Sequence, residues 1–277
     1  MVEHAKEVAE GRRFEFGKNW QQFLTTLNDD RIAEAEKSLC QMLGVTSLMG
    51  KRFLDIGSGS GLFSLAARRL GAQVVSFDYD PQSVACTNEL KQRYFHNDEQ
   101  WQVDQGSALD QNYLRSLGEF DIVYSWGVLH HTGDMWQALE NAISLLSANS
   151  RLFISIYNDQ GLRSRLWWQV KKTYNQAPQL LRYPIIWVVF IQMWAPIFLR
   201  DLLLHRNPLW SWRNYYQSRG MSVWWDVIDW VGGYPFEVAR PEKIFDFCRE
   251  RGLVLLRLKT SRAEITCNEY VFIKPVS

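Results

Sequence analysis

The chain has 277 residues, 47% of them hydrophobic, and a net charge of +1. That is enough apolar material for one large packed domain, with or without an insertion, and bulk charge singles out no partner. The four cysteines, Cys40, Cys86, Cys248 and Cys267, form no CxxC pair and no metal-ligand spacing, so no metal site is expected and the thiols read as buried and reduced. The opening "MVEHAKEVAEGRRF" holds no apolar run; the expectation is a cytoplasmic protein without a signal peptide.

Residues 1–50 read as an N-terminal helical cap. "DDRIAEAEKSLCQMLG" places apolar residues at helical spacing and ends on Gly44. From Lys51 strands and helices alternate, with strands expected at 52–56, 73–78, 101–105, 120–125 and 151–157 and helices at 61–70, 81–95 and 134–147. Such alternation argues for an α/β fold: a doubly wound, mostly parallel sheet covered on both faces. The first part of this core runs over 51–157. It resumes at 238–277, where "RPEKIFDFCRERG" reads as a helix and "LVLLRLKT" and "NEYVFIKP" as a closing strand pair. The intervening 158–237 fits no such unit and holds nine of the 13 tryptophans.

The stretch "FLDIGSGSGLFSLAARRLGAQVVSFDYD" carries the chemistry. A strand runs into Gly57-Ser58-Gly59-Ser60-Gly61 and turns into a helix. Glycines let backbone approach a ligand closely. The dinucleotide fingerprint needs G-x-G-x-x-G, but here the third position of that pattern is Leu62. Asp55, two residues before the first glycine, would repel a pyrophosphate. It suits a ligand with an amino group and a sulfonium, such as S-adenosyl-L-methionine (SAM). Asp78, at the end of the second strand beside Tyr79, is placed to accept both hydroxyls of a ribose. After the fourth strand, "SWGVLHHTGD" carries His130 and His131, the only adjacent histidines in the chain. Histidine takes a proton near neutrality, so either is a candidate base, or the pair holds its loop in shape. Asp134 could orient such a base or cap the following helix. Tyr157 and Asn158, ending the fifth strand at the same sheet edge, either touch substrate or make a turn.

On the motifs "LDIGSGSG", "SFDYD", "QGSALD", "FDIVYSWGVLHHTGD" and "RLFISIYN", the chain resembles the class I, seven-stranded, Rossmann-like SAM-dependent methyltransferases, and within them the small-molecule enzymes of the quinone-biosynthesis type. The resemblance implies a SAM-dependent methyltransferase with a cofactor site at Asp55, Gly57, Ser58, Gly59, Gly61, Asp78, Tyr79, Gly106, Ser107, Ala108, Ser125 and Trp126. Many members carry an Asp after the third strand that contacts adenine; Ser107 stands here, so adenine would rely on backbone near Gly106 and Ala108. The resemblance favours His131 over His130 as base. It also suggests that the aromatic "RFEFGKNWQQF" folds over the cofactor. There is no Asn/Asp-Pro-Pro-aromatic turn, no glutamate pair and no cysteine in a motif loop, which argues against base amines, protein arginine and cytosine C5 as targets. The expectation is a small-molecule acceptor methylated on a hydroxyl, anionic or lipid-linked. The alternatives are an RNA-directed methyltransferase and a non-catalytic SAM-binding membrane module.

The insertion contains "YPIIWVVFIQMWAPIFL" (183–199), without a charge, between Lys171, Lys172 and Arg182 on one side and Arg200, His205 and Arg206 on the other. Between Gln160 and Gly220 nine Lys/Arg stand against one Asp, so a basic segment sits on an acidic body. Three readings stay open. Two prolines and a short length count against a transmembrane span. A helix lying in the interface of a membrane's inner face fits the tryptophans and basic flanks. A lid or dimer contact would bury the apolar face in protein. Trp187 and Trp194 are the substrate-binding candidates. A nucleic-acid groove is disfavoured by the apolar run, and the oligomeric state is not legible.

Overall fold

A computed structural model describes residues 2–219, 223–260 and 266–276. Its centre is a seven-stranded sheet in the order β3-β2-β1-β4-β5-β7-β6, with β1 Arg52–Ile56, β2 Gln73–Asp78, β3 Trp101–Gln105, β4 Phe120–Trp126, β5 Leu146–Tyr157, β6 Val254–Lys259 and β7 Cys267–Ile273. Strands β1 to β5 run parallel, and β7 inserts antiparallel between β5 and β6. The strand order reverses between β1 and β4, so a crevice opens beyond their C-terminal ends, where α/β sheets bind ligands.

Both faces are covered because alternate strand residues point into two separate cores. On β1, Phe53 joins the cluster under α3 (Asp29–Leu43), α4 (Leu62–Arg69) and α5 (Pro81–Tyr94), while Leu54 and Ile56 join the one under α6 (Gln111–Leu117), α7 (Met135–Ser144) and α12 (Pro241–Glu250). The N-terminal segment adds α1 (Val2–Ala9) and α2 (Gly17–Leu24) before α3. Asn28 caps α3 by accepting from Arg31 N–H, and the helix stops at Gly44 with φ +66°.

The expected helix over 134–147 ends at Ser144, and β5 begins at Leu146, earlier than the patterning indicated. The reason is a bulge: Phe120 pairs with Leu146, but Ile122 pairs with Arg151, so the sheet recruits residues before the regular ladder. Between β5 and α12 the chain forms α8 (Leu162–Gln176), α9 (Gln179–His205), α10 (Trp210–Arg219) and α11 (Val223–Gly232). These helices share their own apolar cluster, built on Tyr174, Ile186, Val189, Trp194, Val223, Val227 and Val231.

Candidate active site

The glycine turn leaves β1 with Gly57, Gly59 and Gly61 at φ +78°, +54° and +81°. Other residues avoid this region. A side chain would also collide with the cleft walls, since a Cβ on Gly57 would fall 2.3 Å from Val128 and one on Gly59 3.0 Å from the Trp20 indole. The turn opens into a cavity of about 1360 Å³, larger than the roughly 300–1,000 Å³ of a typical single-ligand pocket.

Two carboxylates stand at its mouth. Asp78 accepts from Gly59 N–H and Asp80 N–H, both at 2.9 Å, fixing the turn against the end of β2. Asp55 is buried and takes its side-chain hydrogen bond from Ser64 Oγ at 2.5 Å. Behind Ser64 lies a relay of buried donors: Trp101 Nε1 donates to Ser76 Oγ at 2.9 Å, and Ser76 Oγ donates to Ser64 Oγ at 2.7 Å. Burial pushes Asp55 up to about 7; the Ser64 hydrogen bond opposes that rise and the Asp78 charge adds to it. Burial likewise lifts Asp78 to about 6, against the two N–H bonds. Tyr124 Oη and Ser83 Oγ also line the cavity, buried and without a protein hydrogen-bond partner among the described residues.

The histidines after β4 divide. His130 is fully buried and does not line the cavity. Its Nδ1 accepts from Tyr157 N–H at 3.4 Å, its ring packs on Tyr157, and burial holds it neutral, well below the usual histidine range. That makes it a loop support rather than a group facing substrate. His131 lines the cavity, and its Nδ1 lies 2.5 Å from the Pro235 carbonyl oxygen. Only a protonated Nδ1 can make that bond, so the neutral ring keeps its lone pair on Nε2. Burial, with Lys171 and Arg13 nearby, lowers His131 to about 3 against the Pro235 bond. Asp134 caps α7 by accepting from Gln137 N–H at 3.2 Å.

The N-terminal segment closes the cleft from above. Arg13 donates to the carbonyls of His131 (2.9 Å) and Thr132 (3.2 Å), and its guanidinium lies 4.7 Å from the Tyr79 ring centre. Gly17 N–H donates to Asp80 at 2.8 Å, and a Cβ there would strike Gln82 at 2.4 Å. Asn19 Nδ2 donates to Asp229 of α11 at 2.8 Å. Three walls of the site are thus tied together by residues 13–20.

Beyond the turn the cavity continues between the insertion and the sheet edge, lined by Phe14, Phe16, Tyr157, Trp167, Met193 and Trp230, with Asp226 and Asp229 on the same face of α11. The Trp167 and Trp230 rings meet edge to face at 5.2 Å.

Of the residues singled out from sequence, Asp55, Gly57, Ser58, Gly59, Asp78, Tyr79, Gly106, Ser107, Ala108, Trp126, His131 and Tyr157 line this one cavity. Others lie elsewhere. Gly61 packs against Thr87 at the start of α4, and Ser125 Oγ donates to the Ile56 carbonyl, tying β4 to β1. Asn158 N–H donates to the Thr266 carbonyl. Trp194 is buried in the insertion's own core between Trp212 and Tyr215, and Trp187 packs on Phe190 and Trp224 at its surface. Neither tryptophan reaches the cleft, because the face of α9 that holds Trp194 is spent on packing α10 and α11. Two other tryptophans of the insertion, Trp167 and Trp230, do reach it; Trp230 had a readable signal, since Asp226, Asp229 and Trp230 fall at i, i+3 and i+4, one face of a helix.

A mostly parallel sheet with this strand order, a glycine turn after β1 and acids at the ends of β1 and β2 define a cofactor-binding α/β domain. Residues 54–152 match the family model described as "Methyltransferase domain". Similar curated proteins include the ubiquinone biosynthesis O-methyltransferases of Xanthomonas campestris pv. campestris (34% identical over 113 residues, 40% of this chain and 45% of that one) and of Xanthomonas oryzae pv. oryzae (32% over 112 residues, 40% and 45%). The chain thus spans less than half the length of the curated relatives it matches. Among solved structures, the magnesium protoporphyrin IX methyltransferase of Synechocystis PCC 6803 with bound SAH superposes with a TM-score of 0.55 at 13% identity, over 93% of this chain and 94% of that one. The chain carries a methyltransferase domain and is built on the class I SAM-dependent methyltransferase fold.

Proposed function

We propose that the protein transfers a methyl group from SAM to a hydroxyl of a small molecule. The observation that carries this reading is the single cavity that joins the glycine turn and its two carboxylates to an aromatic chamber, with His131 between them. The residues present fit the cofactor. The turn tolerates only glycine, Asp55 and Asp78 offer negative charge to an amino group and to ribose hydroxyls, and Tyr124 Oη and Ser83 Oγ await a partner. The volume exceeds what one ligand needs, which leaves room for an acceptor.

When bound, SAM supplies a methyl group already activated by the sulfonium. The chain's own residues do the rest. Asp55 and Asp78 hold and orient the cofactor, and Trp20, Phe14, Phe16 and Arg13 keep water out. Trp167, Trp230 and Tyr157 grip the apolar body of the acceptor, and positioning of this kind is the larger part of such catalysis. His131 Nε2 is the atom free to take the acceptor's proton, with Nδ1–H anchored on Pro235. With its pKa lowered to about 3, the ring is neutral throughout the working range, and its Nε2 lone pair can accept a hydrogen bond from the acceptor while remaining a weak base. A base this weak favours an acidic hydroxyl, such as a phenol with pKa of about 10, over an aliphatic alcohol. Four free thiols support a reducing, cytoplasmic setting.

The test is methyl-labelled SAM added to deproteinised extracts, with small molecules screened for label, beside calorimetric binding of S-adenosylhomocysteine. Label in a product as a methyl ether at a former hydroxyl, together with S-adenosylhomocysteine binding that Asp78→Ala abolishes, supports the reading. Preference for NAD, or binding untouched by Asp78→Ala, overturns it.

A further inference from the structure

Helix α9 carries two different faces. Ile186, Val189 and Trp194 are buried in the insertion's core, and Asp201 is held there by Ser211, whose N–H and Oγ donate to it at 2.7 and 2.9 Å. The opposite face is solvent-exposed and apolar: Leu181 (57% exposed), Val188 (66%), Ile191 (58%), Leu199 (59%) and Leu202 (49%). These follow helical spacing, and with exposed Ala195 they form one stripe. It spans about 32 Å at 1.5 Å per residue. Exposed apolar patches of such extent on a soluble protein mark an interaction surface.

We propose that this stripe seats the insertion on an anionic bilayer surface, with α9 lying flat in the interface. Charge chooses the occupant. Arg200, Arg206 and Arg213 are exposed at the C-terminal end of the stripe and Arg163 and Arg165 on α8, within a segment holding nine basic residues and one acidic. A second copy docking on the stripe would bring two such segments together, whereas anionic headgroups neutralise them. The core contacts of Trp194 and Asp201 exclude a span, since crossing the bilayer would tear α9 from α10 and α11. The side of the same helix away from the stripe supplies Met193 to the cavity, and exposed Gln192, beside the stripe, lies at the cavity's edge. One helix therefore separates the bilayer from the chamber assigned to the acceptor, so this inference deepens the methyltransferase reading and assigns to that chamber an acceptor that partitions into lipid.

The docking test needs no turnover. Full-length protein is floated with phosphatidylcholine vesicles, with and without phosphatidylglycerol, at low and high salt, and sedimentation gives its oligomeric state. The wild type is expected to float only with phosphatidylglycerol and to detach as salt rises. The variant Val188→Glu/Ile191→Glu/Leu199→Glu changes exposed positions only. It is expected to lose partitioning by at least about tenfold, roughly 1.4 kcal/mol, while S-adenosylhomocysteine binding shows that it is folded. A wild type left unbound with phosphatidylglycerol at low salt overturns the proposal, as does a dimer that the same variant dissolves. Both results leave the cofactor assignment standing, and loss of S-adenosylhomocysteine binding by Asp78→Ala is unaffected by either.

Discussion

Ser64→Ala would test whether the buried relay behind Asp55 sets the charge state of the cofactor site. Ser64 Oγ accepts from Ser76 at 2.7 Å and donates to Asp55 at 2.5 Å, and all three side chains are buried. Removing it takes from Asp55 its side-chain donor and leaves Ser76 without an acceptor. A hydrogen bond to a charged group is worth about 1.5–3 kcal/mol, and each 1.36 kcal/mol is about one pH unit in a midpoint. Asp55 already sits at about 7, so the variant's carboxyl should ionise about one to two pH units higher. The assay is calorimetric binding of S-adenosylhomocysteine from pH 6 to pH 9. Wild-type affinity should rise through neutrality as the carboxylate forms opposite the ligand's ammonium. The variant should bind about tenfold more weakly at pH 7 and converge with the wild type at the alkaline end. A uniform loss at every pH would refute the reasoning, because it would show that Ser64 only packs.

His131→Ala is expected to lower turnover by about 10²-fold, the low end of the range for a general base because its basicity is weak, with S-adenosylhomocysteine affinity nearly intact; the comparison of turnover with calorimetry decides it. The pH dependence of turnover should show no inflection from His131 near 6.5, because burial has moved it to about 3. Stability should respond to pH in opposite senses at the two groups. Asp55 is raised when folded, so the stability it allows is full below the ordinary carboxylate range and lost as pH climbs through about 7. Asp55→Asn should therefore gain thermal stability relative to wild type between pH 5 and pH 8, read by scanning calorimetry.

The sheet and the cofactor turn were legible because each rests on local chemistry. Glycines at positive φ, an acid two residues earlier and another at the end of the next strand all lie within 55–78. The relay was not. A serine in a helix and another in a strand carry no signal of their own, and only the parallel register that pairs Asp55 with Ser76 sets them beside Ser64. His131 was visible as a candidate, but its tautomer is set by Pro235, 104 residues away. The choice of Trp187 and Trp194 followed the apolar run. That run fixes where α9 is and leaves open which of its faces meets the cleft, a question settled by the packing of α10 and α11. Arg13 and Gly17 were read through an aromatic segment, whereas their grip is backbone and charge: two carbonyls and the Asp80 carboxylate.

The ties made by residues 13–19 reach across 63, 118 and 210 positions of the chain. On the ribosome these residues emerge before any of the groups they hold. Asp80 follows soon after, but the β4 loop comes later, and Asp229 appears only when the insertion is almost complete. The sheet can begin to assemble as its strands are made, whereas the roof over its crevice waits until α11 has been made. Loop closure over such separations is slow compared with local pairing. A nascent or prematurely released chain would therefore present an open crevice rimmed with Phe14, Phe16 and Trp20 alongside the bare stripe of α9. That interval is when the protein most needs a chaperone.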